Sequence, residues 1–377
     1  MHLIVLENEP SSYRGGQELS LLAICKSLHQ RGHQISLIYT RIGDLLEQYQ
    51  DFCLQTIAVQ GYKLNRHHPW QLAGDVYQAA QSIATDRDSL VYSNQYHDSF
   101  FGWGLARLKG IPLVCYLRLP PPSSWGIQAG LGLQGANRLI AISEQTKQDW
   151  MAAGFPAQKI DVVHNGIDLD KFQPALDRSI ARSRWQLAET DPVVAYVGRL
   201  DKVKGVETLL RAIALLKPEL PDLKLLIAGK PLIQQPQYQD FLKQLADQLN
   251  IADNVQFLGH VSQPAEVYQA SNVVVVPSIW SEPLGRTLLE AMACGVPVVA
   301  SRVGGIPEVL ADEFAQGLFE PGNAADLGVK LRHFLSWQAQ DSTLRQQCRA
   351  YVGDRFPLSK AVEGVEQVML KLLAKGI

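Results

Sequence analysis

The sequence predicts an α/β protein built as two doubly wound parallel-sheet domains. Three observations carry that expectation. The chain has 377 residues, too many for one ordinary core. Short β-branched runs alternate with helical patterns throughout, as in parallel strands covered by helices. The alternation breaks once, at a polar stretch containing Pro174, and then restarts.

Leu3–Leu6 reads as a buried first strand, followed by a helix that sets Leu21, Ile24, Cys25 and Leu28 on one face. Gln34–Tyr39, Leu90–Ser93, Pro112–Leu117, Arg138–Ser143 and Ile160–Val163 are the next strands, and their apolar runs suit a sheet covered on both sides. The unperiodic stretch from Asp168 to about Asp191 supplies a linker, drawn at 171–190. Beyond it Val193–Val197 is a strand, and Val206, Leu209, Leu210, Ile213 and Leu216 line a helix. Leu223–Ile227, Val255–Leu258, Val273–Val276 and Val296–Ser301 continue the series. At the end, Val362, Val365, Met369 and Leu372 recur at helical spacing. The expected division is a Rossmann-like domain over 1–170, to which a helix at about 356–377 returns, and a second over 191–355. Loops at the strand C-termini of both would face a central cleft, the default ligand site.

Composition narrows the function classes. Thirty-five basic residues against 37 acidic ones leave a net charge of −2, without the basic excess of a nucleic-acid binder. No run approaches the ~20 apolar residues that span a bilayer, and Met1–Leu6 leads into acidic residues without the form of a signal peptide. The five cysteines are odd in number and scattered; they read as reduced core residues of a cytoplasmic protein, with no metal-ligand spacing. Peripheral contact with the inner membrane face stays open through the amphipathic last helix, although Glu363 and Glu366 dilute its basic face.

The chemistry concentrates between Pro277 and Ala300. A strand ends at Pro277, a loop carries Glu282, a helix begins near Gly285, and Gly295 closes it. Such a junction offers unpaired N–H groups and a positive dipole end, which suit a diphosphate, and Gly285 lets the backbone approach it. Glu290, a turn or so into the helix, is placed to accept hydrogen bonds from a ribose; Glu282 on the loop reaches towards the hydroxyls of an attached sugar. After the strand Val193–Val197, Arg199 and Lys204 supply two cations that can neutralise a leaving diphosphate.

On these residues the chain resembles the family-4 retaining glycosyltransferases, of GT-B fold. Glu282 and Glu290 stand at the spacing of that family's E-x7-E signature, within Glu-Pro-Leu-Gly and Glu-Ala-Met-Ala, with Leu284 where Phe is commoner. Gly198-Arg199 and Lys204-Gly205 match its G-R-x(4)-K-G segment, and Asn165-Gly166-Ile167-Asp168 and Gly15-Gly16 match further motifs. The resemblance implies a donor site of Gly15, Gly16, Gly259, His260, Val261, Pro283, Leu284, Gly285, Arg286, Thr287 and Glu290. Arg199, Lys204 and Glu282 would form the catalytic set. It implies a nucleoside-diphosphate sugar as co-substrate, no resident cofactor or metal, retention through front-face attack, and a carbohydrate, lipid or small-molecule acceptor.

Two motifs are set aside. Gly130-Leu131-Gly132-Leu133-Gln134-Gly135 satisfies G-x-G-x-x-G but leads into a strand, the wrong context for a dinucleotide. Asp168-Leu169-Asp170 looks like a metal motif but belongs to the Asn-Gly-Ile-Asp turn. His97 and Arg118 follow strands on the ligand side and are candidates for contact with acceptor or donor sugar. Arg118 stands where many family members carry histidine, and a guanidinium there could clamp an anion. Three other readings compete: an epimerase or phosphorylase of the same fold, an NAD-dependent oxidoreductase, and a non-catalytic sugar-nucleotide binding protein.

Overall fold

A computed structural model of the chain describes residues 1–374 apart from 66, 233, 234 and 342. It forms two compact units, Met1–Gly166 with Leu358–Ile377, and Ile167–Pro357.

The first unit holds a parallel sheet of seven strands: β1 (His2–Leu6), β2 (Gln34–Tyr39), β3 (Gln55–Ala58), β4 (Ser89–Ser93), β5 (Leu113–Leu117), β6 (Arg138–Ala141) and β7 (Ile160–Val162). Their order across the sheet is β3-β2-β1-β4-β5-β6-β7. Pleat alternation divides the side chains between two layers. Val5, Leu37, Tyr92, Val114 and Tyr116 pack with Leu21, Cys25 and Leu28 of the helix Gly16–Gln30, and with Val362, Val365 and Met369 of the helix Leu358–Ala374. Leu6, Ile38, Val91, Cys115 and Leu117 join Phe101, Leu105 and Leu133 on the other side. Each such side chain, fully buried, contributes about 1.5–3 kcal/mol.

The glycine run set aside above lies inside the helix Ile127–Gly135. A Cβ on Gly132 would overlap the backbone of Ser99 and Phe100, and one on Gly135 would overlap Trp103. Those glycines let two helices approach closely.

The second unit is a six-stranded sheet of β8 (Val193–Val197), β9 (Lys224–Ala228), β10 (Val255–Gly259), β11 (Val273–Val276), β12 (Val298–Ser301) and β13 (Leu318–Phe319), ordered β10-β9-β8-β11-β12-β13. All the described pairings are parallel. Val206, Leu209, Leu210, Ile213 and Leu216 of the helix Val206–Leu216 are fully buried. Residues 171–190 contain the helix Arg178–Arg184, whose Arg178 donates to the carbonyls of Gln269 and Ser271 at 3.2 and 2.7 Å.

The five cysteines are unbridged, and all but Cys53 are buried. Among the described residues no helix is long and apolar enough to cross a membrane. The apolar face of the helix Leu358–Ala374 is spent on the first unit's core.

Candidate functional site

In the second unit the chain leaves β8 for β9 and β10 on one side and returns to β11 on the other. Loops that follow neighbouring strands at such a switch diverge and leave a crevice beyond the strand ends. The loop after β8 carries Arg199 and Lys204; the loop after β11 carries Glu282.

Backbone contacts bring these loops together. Asp201 caps the 3-10 turn Lys202–Lys204, accepting from Val203 N at 3.3 Å. Gly205 follows at φ 68°, and a Cβ there would overlap the Pro277 carbonyl. Only glycine therefore allows this approach, which Ile279 N completes by donating to Val203 O at 2.9 Å. Lys204 Nζ comes to rest 2.5 Å from Glu282 Oε2, and Ser278 Oγ donates to the same oxygen at 3.1 Å. Behind Glu282, Gly304 sits at φ 54° where a Cβ would strike the Glu282 backbone, and Gly305 N donates to Glu282 O at 2.8 Å. Its carboxylate is thus fixed from both ends.

The helix Arg286–Ala293 starts from Gly285, at φ 85°, which has no side chain to cap it. Leu284 and Leu288 anchor this start in the core, and Thr287 Oγ1 donates to Val197 O at 3.3 Å. Glu290 is buried and paired on both oxygens: Arg286 Nε donates to Oε1 and the Tyr268 hydroxyl to Oε2, each at 2.7 Å. Burial and the Glu290 charge push the Tyr268 phenol up, so it remains a donor. Gly259 ends β10 at φ 68°, and its carbonyl accepts from Gly229 N at 2.7 Å. Arg199 and His260 are exposed, and Pro283 and Val261 half-buried.

The first unit has its own switch, between β1 and β4. Gly15, at φ 132°, precedes the helix that Gly16 begins, and His97 lies in the 3-10 turn Tyr96–Asp98 after β4. His97 stacks on Tyr96 at 3.8 Å, and burial lowers its pKa, with Lys63 and Arg14 adding to the effect. Arg118, after β5, is 2% exposed, and its guanidinium lies 4.0 Å over the Tyr116 ring. Its Nε donates to Asn94 Oδ1 at 2.5 Å and its Nη1 to Asn165 Oδ1 at 3.0 Å, while Asn94 Nδ2 donates to Glu7 Oε2 at 2.9 Å. Burial, reinforced by the Glu18 and Asp98 charges, pushes the Glu7 carboxyl up to about 8; burial likewise takes Asp98 to about 7.

Sequence reasoning missed Glu7, Asn94, Asp98 and Tyr268. The available signal was position: Glu7 and Asn94 each stand directly after a strand, but only sheet order shows that those strands adjoin.

Two Rossmann-like parallel-sheet units of this kind define the GT-B fold. The chain shares it with Anabaena HepE, solved in complex with UDP and glucose, at a TM-score of 0.85 and 23% identity over 98% of this chain and all of that one. The sucrose-phosphate synthase of Thermosynechococcus elongatus gives a TM-score of 0.81 at 24% identity over the full length of both chains. A family model for "Glycosyl transferases group 1" matches residues 177–352, and one for "Glycosyltransferase Family 4" matches residues 14–171. The chain belongs to the family-4, group 1 glycosyltransferases. The D-inositol 3-phosphate glycosyltransferase of Mycolicibacterium smegmatis is 41% identical over 194 residues, covering 51% of this chain and 43% of that protein. The chain thus spans less than half the length of this curated relative.

Proposed function

We propose that the chain transfers a sugar from a nucleoside-diphosphate sugar to an acceptor hydroxyl, with retention of anomeric configuration and without a metal. The observation that carries this reading is the second unit's switch point, where Lys204 meets Glu282 ahead of the helix that starts after Gly285. Arg199, Lys204 and the N–H groups after Gly285 stabilise the departing diphosphate, since fixed donors aimed at developing charge need no reorganisation during reaction. Glu290 receives the ribose and Glu282 the donor sugar.

Retention by front-face attack is supported by the state of Glu282. A carboxylate tied to an ammonium and a serine hydroxyl is a poor nucleophile, which leaves a donor phosphate oxygen to take the acceptor proton. The donor nucleotide is of UDP or GDP type; the solved HepE complexes contain UDP or UDP-glucose. The glycosyltransferase names of the relatives favour transfer over epimerase or oxidoreductase chemistry.

Thermal-shift titration with UDP, GDP, UDP-glucose, NAD and NADP, repeated in chelator, tests the reading by linkage. A UDP- or GDP-type ligand should raise the melting temperature and the nicotinamide cofactors should not. A larger shift with NAD, or transfer lost in chelator and restored by manganese, would overturn it.

A further inference from the structure

The Glu7–Asn94–Arg118–Asn165 chain follows from pleat alternation. Val5, Tyr92, Tyr116 and Val163 belong to the core under the helix Gly16–Gln30. Two residues on, at the strand ends, the same face presents Glu7, Asn94, Arg118 and Asn165. Apolar packing stops there and polar side chains continue its surface inward. Their bonds leave valences over: Glu7 Oε1, Glu18 Oε2, Arg118 Nη2 and the hydroxyls of Tyr49 and Tyr92 are buried without a protein partner.

The residues bearing those five atoms are each at most 4% exposed. They also lie in one another's fields. Arg118 offsets the upward shifts of the Glu18 carboxyl and of the Tyr49 and Tyr92 phenols, all raised chiefly by burial, while Glu7 adds to that of Tyr49. Yet the guanidinium pairs directly with neither carboxyl. Glu18 Oε1 takes Arg14 Nε at 3.2 Å, and Glu7 Oε2 takes Asn94.

An orphaned buried polar atom costs much more than a hydrogen-bonded one; with Asn94 bonded to both Glu7 and Arg118, and Arg118 acting on Glu18, Tyr49 and Tyr92, these five call for a common partner. Arg118 Nη2 and the two phenols donate, the Glu18 oxygen accepts, and the protonated Glu7 carboxyl can do either. A water has both capacities and needs two to four polar partners. We propose that Glu7, Glu18, Arg118, Tyr49 and Tyr92 form an internal site for two or more bridging water molecules beside the first turn of the helix Gly16–Gln30, and that Arg118 is its positioning residue instead of a clamp on a ligand. Through Glu18 the site braces the first turn of the helix Gly16–Gln30, where no side chain caps the N-terminus.

A crystal structure of the full chain at about 1.8 Å or better tests this directly. Ordered water within hydrogen-bond distance of at least three of the five atoms is expected; a dry cluster, or a direct Arg118–Glu18 pair, would overturn the proposal. The single variants Tyr49→Phe and Tyr92→Phe give an independent reading through the sign of their effect. In a hydrated site each loses a satisfied hydrogen bond, and the melting temperature falls by about 2–4 °C. In a dry site each removes an orphan, so an unchanged or higher melting temperature counts against it. Arg118→Lys keeps the charge and loses the fork, and it too should lower the melting temperature while leaving pyrophosphate affinity unchanged. Lost pyrophosphate binding at an unchanged melting temperature would return Arg118 to the role of a ligand clamp.

Discussion

A lysine that already holds a carboxylate can still take a phosphate, because Nζ carries three donors and Glu282 uses one. Lys204 is therefore poised to engage a diphosphate without releasing Glu282, while exposed Arg199 must be recruited. Lys204→Ala and Arg199→Ala should each slow transfer by on the order of a hundredfold, the effect of losing one preorganised charge worth about 3 kcal/mol. Wild-type rates with unchanged circular dichroism would show both cations to be merely solvated. The glutamates should separate in calorimetry. Glu290→Gln, set between Arg286 and Tyr268, should weaken UDP itself; Glu282→Gln should spare UDP and weaken UDP-glucose. Equal effects on both ligands would end that division of roles. The buried acids of the first unit act on stability. Glu7 and Asp98 hold protons in the folded chain up to about pH 8 and 7, whereas unfolded carboxyls release theirs near pH 4. Their stabilising contribution is complete in acid and is lost as pH rises through those values. The melting temperature should fall between about pH 4 and 8, and Glu7→Gln, which keeps the neutral shape, should flatten the slope. A slope unchanged in Glu7→Gln would place the proton elsewhere.

At the scale of elements, the site depends on loops pressed together more closely than side chains allow. Gly205→Ala adds a Cβ where the Pro277 carbonyl already lies and forces alanine to φ 68°. The strained backbone alone costs about 1–3 kcal/mol. The overlap should also separate Lys204 from Glu282, so melting temperature and transfer should drop together. A fully active Gly205→Ala would mean that the approach is dispensable. This interlock was only partly legible in the sequence. Strands such as Val193–Val197 and Val273–Val276 announce themselves because they are β-branched and buried on both faces. β3 and β13 do not: the first is an edge strand with one buried residue, the second only two residues long. The Lys204 and Glu282 motifs were readable from spacing, and so was Glu290. The Tyr268 hydroxyl on Glu290 and the Glu7–Asn94–Arg118 chain were not, because sheet order, which no local pattern records, brings those residues together.

At the scale of the molecule, one helix decides how the two units depend on each other. Val362, Val365 and Met369 of Leu358–Ala374 are fully buried in the first unit, and Glu366 binds Arg31 and His33 at 2.6 and 2.5 Å. Three such side chains contribute about 5–9 kcal/mol, comparable with the net stability of a whole domain. A chain ending at Pro357 should therefore keep a protease-resistant second unit and lose the first, as limited proteolysis with mass spectrometry would read out. Equal resistance of both units would show the helix to be ornamental.

The same helix sets a timetable. Domains tend to fold in the order in which they leave the ribosome. Here the first 166 residues emerge early, but the piece that closes their core is translated only after the 191 residues from Ile167 to Pro357 have passed. During that interval the nascent first unit lacks Val362, Val365 and Met369, which in the finished core pack with Leu21, Cys25 and Leu28. The second unit, continuous in the chain, can mature first. The unit that is begun first is thus the last to be finished, because its core is complete only once the segment beyond Pro357 has been made.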